Sequence, residues 1–66
     1  MKIILNRKEI TLNLETKTKV KDIFSFLKLN PVSYIVIDRD KNLLLTPDDF
    51  VDDTSFLEIR NVIGGG

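Results

Sequence analysis

The 66-residue chain contains neither Cys nor His, which removes thiol nucleophiles, disulfides and the usual zinc and iron-sulfur ligand sets. No spacing pairs a nucleophile with a base, so the isolated chain is not expected to be an enzyme. Asp48, Asp49, Asp52 and Asp53 have neither the spacing nor the glycine of an EF-hand and read as a solvated loop, with no metal expected. What remains is Gly64-Gly65-Gly66. Three glycines offer no Cβ to a narrow channel, and fully extended they would project about 10 Å past Ile63. A glycine carboxylate presented in this way can attack the α-phosphate of ATP in an enzyme that admits it. The acyl adenylate formed is open to a sulfur or nitrogen nucleophile supplied by others. A terminal glycine run taken alone is equally consistent with a frayed end, so its meaning depends on what positions it.

The preceding segment Phe56-Leu57-Glu58-Ile59-Arg60-Asn61-Val62 alternates and reads as a last strand, with Leu57 and Ile59 inward. At the other end, Met1, Ile3 and Leu5 share one face of an extended run. Ile10, Leu12 and Leu14 share one face of a second run, across the polar break Asn6-Arg7-Lys8-Glu9. These two runs predict an antiparallel hairpin, although the Asn-Gly signal that would fix its turn is missing. Val20, Ile23, Phe24 and Leu27 then recur at helical spacing, which predicts one amphipathic helix over 19–28. Thr18 is its expected N-cap, Lys28 lies near its negative end, and Pro31 blocks continuation. Tyr34-Ile35-Val36-Ile37 and Leu43-Leu44-Leu45 read as two further strands about a polar turn at 38–42. The solvated connection 46–55 needs one apolar contact, Phe50 or Val51. The order implies an α+β arrangement in which one helix covers one face of a mixed sheet of four to five strands. The first and last strands are expected to pair in parallel at its centre, sending the tail off the sheet end. The folded domain is expected over 1–63 and a flexible tail over 64–66.

Ten Lys plus Arg balance ten Asp plus Glu, which argues against a general electrostatic grip on nucleic acid or on an anionic membrane. Lys17, Lys19, Lys21 and Lys28 are interrupted by Asp22, so they read as solubilising rather than as a basic patch for nucleic acid. The opening residues lack a signal-peptide pattern and nothing approaches a membrane span, from which an intracellular, cytoplasmic location is expected. A protein partner fits best.

Across its whole length the sequence resembles the ThiS/MoaD-type sulfur carriers, and it is most similar to ThiS-like proteins. The matching segments are Ile3-Ile4-Leu5-Asn6 with Glu9, the run Lys19 to Phe24 continuing to Leu27-Lys28-Leu29-Asn30-Pro31, and Tyr34-Ile35-Val36-Ile37. The specific one is the ending Leu57-Glu58-Ile59-Arg60-Asn61-Val62-Ile63-Gly64-Gly65-Gly66. The resemblance implies a β-grasp (ubiquitin-like) fold. It also implies that an adenylating enzyme of the ubiquitin-activating (ThiF/MoeB-like) type uses ATP and magnesium to adenylate Gly66. A persulfide-bearing sulfur donor then converts Gly66 to a thiocarboxylate, which an acceptor synthase consumes in thiamine thiazole, molybdopterin or tRNA thiolation chemistry. The carrier itself binds no cofactor. Arg7 stands where the family often has Gly after Asn, Asp38-Arg39 replaces a common Val-Asn, and Asp53-Thr54-Ser55 lacks a usual Gly-Asp. Conjugation to lysines, as a ubiquitin-like modifier, would use the same activation, and an interaction module would use only the sheet.

If Ile3 and Leu5 face the core, Ile4 lies on the opposite sheet face, where Tyr34, Val36, Phe56 and Val62 are expected to join it as an apolar docking patch, with Ile63 at its tail end. Arg60 is the charged candidate, able to grip a partner carboxylate with two parallel hydrogen bonds. The alternatives are that some of these side chains are scattered exposed apolars and Arg60 a solvated strand residue, or that the register is shifted by one residue, which would put some of them in the core.

Overall fold

A computed structural model describes residues 1–62; the expectations for Ile63, Gly64, Gly65 and Gly66 fall outside the described residues. The strands are β1 (Lys2–Leu5), β2 (Lys8–Thr11), β3 (Thr18–Lys19), β4 (Tyr34–Asp38), β5 (Leu43–Leu45), β6 (Phe50–Val51) and β7 (Phe56–Asn61). The helix α1 (Val20–Leu27) follows β3, and a single 3₁₀ turn, Pro31–Ser33, precedes β4. Five strands form a mixed sheet in the order β2-β1-β7-β4-β5, while β3 and β6 pair separately. β1 and β7 run parallel with Ile3 beside Leu57 and Leu5 beside Ile59, and β4 flanks β7 antiparallel. β7 is therefore the central strand.

The hairpin turn is tighter than the sequence suggests. Leu5 pairs with Lys8, which leaves Asn6 and Arg7 as a two-residue loop, both at positive φ (48° and 72°). This is the type I′ geometry whose twist matches the strands, with Arg where Gly is favoured. β2 ends at Thr11, and Leu12 and Leu14 continue half-buried against the core.

Thr18 is not the N-cap. It pairs with Val51 in the small sheet and its hydroxyl donates to the Thr16 carbonyl, while the capping position is Lys19, with no side-chain cap. The first-turn amides are satisfied from the connection instead: Val20 N–H donates to the Asp49 carbonyl (2.9 Å) and Lys21 N–H to the Pro47 carbonyl (3.0 Å). A carbonyl from a neighbouring segment meets the same need as a cap hydroxyl. At the other end Lys28 adopts the left-handed conformation, and Leu29 N–H donates to Phe24 O while Lys28 N–H donates to Ser25 O. This Schellman pattern stops the helix before Pro31.

The core consists of Met1, Ile3, Val20, Ile23, Phe24, Val36, Val51, Leu57 and Ile59. Val51, not Phe50, secures the 46–55 connection; Phe50 is exposed and lies under the Lys19 ammonium. The acidic side chains there bind the backbone. Asp49 accepts from Thr46 N–H, Asp52 from Thr54 N–H, and Asp53 from Leu14 N–H and the Met1 ammonium. Among the described residues no helix is long and apolar enough to cross a membrane.

Candidate functional site

Everything known of the site depends on β7, the strand that leads toward the glycines. Its inward residues, Leu57 and Ile59, are fully buried against α1 and β1. Alternation then places Phe56, Glu58 and Arg60 on the other sheet face, which no helix covers among the described residues. The register fixes their neighbours. Glu58 stands between Ile4 of β1 and Ile37 of β4, and Arg60 stands opposite Ile35. Leu44 of β5 pairs with Ile37 and extends the row to the sheet edge.

The outer face is thus an apolar field of Ile4, Ile35, Ile37 and Leu44 with one carboxylate at its centre. Leu44 is 66% exposed and Ile35 38%. Glu58 is held from both sides: Arg60 Nε donates to Oε2 at 2.6 Å and Arg39 Nη1 to Oε1 at 2.7 Å. The Arg60 hydrogen bond, reinforced by Arg39 and opposed by burial, keeps the Glu58 carboxyl below its ordinary range. Arg39 reaches this position from the turn after β4, where Asp38 Oδ1 accepts from the amides of Asp40 and Lys41. Its guanidinium also lies 5.6 Å from the Phe56 ring centre, and the Lys2 ammonium lies 5.4 Å from the same ring. At the end of β7 nearest the glycines, Asn6, Arg7, Glu58, Arg60 and Asn61 line a shallow depression.

Two members of the expected docking patch belong elsewhere. Val36 is opposite Ile59 and only 3% exposed, and Tyr34 turns its ring edge-on to Phe24 of α1 at 6.3 Å. Both face the helix. Pairing with β7 sets the parity of β4, because Val36 must share the face of buried Ile59; the outward members are Ile35 and Ile37. Ile4, Phe56 and Arg60 lie on the outer face as expected, and exposed Val62, whose amide donates to the Ser33 carbonyl, ends the described strand region.

Ile35, Ile37, Leu44, Arg39 and Glu58 were not legible as site residues. The run Tyr34-Ile35-Val36-Ile37 is apolar throughout, so it carries no alternation from which to read parity. A signal did exist in Glu58, an acid flanked by two inward residues of a central strand, which requires a partner on the outer face. Among the described residues no group of His, Cys, Asp and Glu is arranged to hold a metal ion. No family model matches the chain and no curated protein matches it.

Proposed function

We propose that this chain is a β-grasp (ubiquitin-like) sulfur carrier, a co-substrate rather than an enzyme, whose reactive atom is a Gly66 carboxylate oxygen. The observation that carries the reading is the sequence Gly64-Gly65-Gly66 following β7, the central strand of a five-stranded sheet backed by one helix. A rigid central strand is a suitable base for a narrow reactive tail. The parallel β1–β7 pair flanked by β2 and by β4–β5 also supports the β-grasp reading, with residues 1–63 as the domain and 64–66 as the tail.

In this account an adenylating enzyme in the cytoplasm binds ATP and magnesium. The Gly66 carboxylate attacks the α-phosphate and pyrophosphate leaves. The outer sulfur of a partner's persulfide then attacks the acyl carbon with loss of AMP, and a second thiol cleaves the resulting disulfide to release the thiocarboxylate. An acceptor synthase takes the sulfur. The outer face docks the activating enzyme, which explains why its apolar residues are left uncovered.

ATP–pyrophosphate exchange tests the reading: the full chain supports exchange with its adenylating enzyme, and deletion of Gly65-Gly66 abolishes it. Equal exchange by both chains would contradict it. Lysines of other cellular proteins that carry the remnant Asn61-Val62-Ile63-Gly64-Gly65-Gly66, left by tryptic cleavage after Arg60, would reassign the same activation to protein modification.

A further inference from the structure

The outer sheet face holds more positive charge than it neutralises. Lys2, Arg39 and Arg60 stand on it and Arg7 borders it at the β1–β2 turn, against two carboxylates, Glu9 and Glu58. Both carboxylates are occupied, Glu9 by Lys2 at 3.3 Å and Glu58 by two guanidiniums. The chain as a whole is neutral, so this basic surplus is balanced elsewhere, with Asp48, Asp49, Asp52 and Asp53 among the contributors. Charge is segregated, and the apolar field coincides with the basic part.

Arg39 and Arg60 come from different segments, the β4–β5 turn and the end of β7, yet converge on one carboxylate between Ile4 and Ile37. Each guanidinium has five N–H donors and uses one on Glu58. An exposed ion pair contributes little to stability. Two guanidiniums held in fixed orientation within an apolar surface have instead the donor geometry that recognises a further carboxylate, at reduced ordering cost.

We propose that Arg39 and Arg60, oriented by Glu58, form a receptor for an acidic side chain of the docking protein, whose matching surface is an apolar patch with an Asp or Glu at its centre. The inference rests on the outer face being the docking surface of the activating enzyme, and it assigns that enzyme's surface its chemistry. Glu58 is a positioning residue: it touches no reacting atom and acts through the two arginines. Arg7 and Lys2 accelerate encounter without specifying register.

Steady-state ATP–pyrophosphate exchange, with the full-length carrier as varied substrate, tests this. R39Q/R60Q raises the carrier KM by at least about 10-fold with kcat unchanged, since losing a desolvated charge contact weakens docking and leaves the chemistry alone. E58Q raises KM by a smaller factor, about 3-fold, by releasing the guanidiniums. Wild-type kcat/KM falls with added salt, and the double variant loses most of that dependence. R39K/R60K keeps both charges and guards against a folding defect; its KM also rises because ammonium groups lack the planar fork. Unchanged KM in R39K/R60K, or unchanged KM and salt dependence in a folded R39Q/R60Q, overturns the receptor while leaving the carrier function standing. No exchange with the wild-type chain overturns both. Concentration-dependent dimerisation abolished by R39Q/R60Q assigns the face to a second copy and overturns the proposal.

Discussion

Val36 and Ile35 are neighbours in β4 that face opposite sides of the sheet, so truncating each in turn reads the register of the site directly. Val36 is 3% exposed, opposite Ile59. Val36→Ala removes two buried methyl groups, a transfer loss of about 1.6 kcal/mol at ~0.8 kcal/mol each, and partial collapse of the space adds a cavity term, for a total of about 2–3 kcal/mol. In a domain of this size each kcal/mol lowers Tm by about 4–8 °C, so the variant melts roughly 10–20 °C below wild type. Ile35 is 38% exposed on the outer face, and Ile35→Ala costs less than about 1 kcal/mol. The assay is thermal and urea denaturation by circular dichroism, with unchanged m-values confirming that the folded state is retained. If Ile35→Ala costs as much as Val36→Ala, β4 is shifted by one residue. The outer face would then be Tyr34 and Val36, and the convergence on Glu58 would lose its apolar frame.

Arg7 occupies a positive-φ position, so Arg7→Gly removes a left-handed cost of ~1–2 kcal/mol and adds unfolded-chain entropy of ~0.4–1 kcal/mol, for a net stabilisation of about 0.5 kcal/mol in urea titration. Thr18→Ala costs below ~0.5 kcal/mol in the same assay, against the ~1 kcal/mol of a true N-cap, because backbone carbonyls serve the first turn of α1. Asp53 is held below its ordinary value of 3.8 first by the Leu14 amide and then by the Met1 ammonium, and Asp52 is lowered chiefly by Thr54. The unfolded chain therefore binds more protons in this range, so the stabilisation is complete above the unfolded value and is lost as pH falls from about 4 through the lower folded values. Asp53→Asn flattens that acid limb in Tm-versus-pH curves, and a limb as steep as wild type would refute the assignment.

The elements were legible where periodicity was unambiguous. Leu57 and Ile59 stand on either side of Glu58 and ahead of Arg60, and Val20, Ile23, Phe24 and Leu27 keep helical spacing; the structure buries Leu57, Ile59, Val20, Ile23 and Phe24 and leaves Leu27 half-buried. The parallel β1–β7 pairing follows from having two central apolar strands and one helix to cover them. What escaped was tertiary in origin. Thr18 has a capping residue's chemistry, but a distant segment, Pro47 to Asp49, supplied the acceptors. Val36 and Tyr34 could not be told from Ile35 and Ile37 because all four are apolar and only the partner strand sets their parity. Arg39 belongs to a turn with no strand pattern, and its approach to Glu58 follows from the Asp38 turn that aims it. The tail reading rests on the sequence Gly64-Gly65-Gly66, which lies outside the described residues.

The central claim is that Gly66 is the group acted upon. Intact-mass analysis of the full chain after incubation with its adenylating enzyme, ATP, magnesium and a persulfide donor tests it most directly. The account predicts a gain of about 16 Da, the exchange of one carboxylate oxygen for sulfur, confined to the C-terminal fragment and absent after deletion of Gly65-Gly66. An unchanged mass in the full chain, or the same gain in the truncated chain, would contradict it.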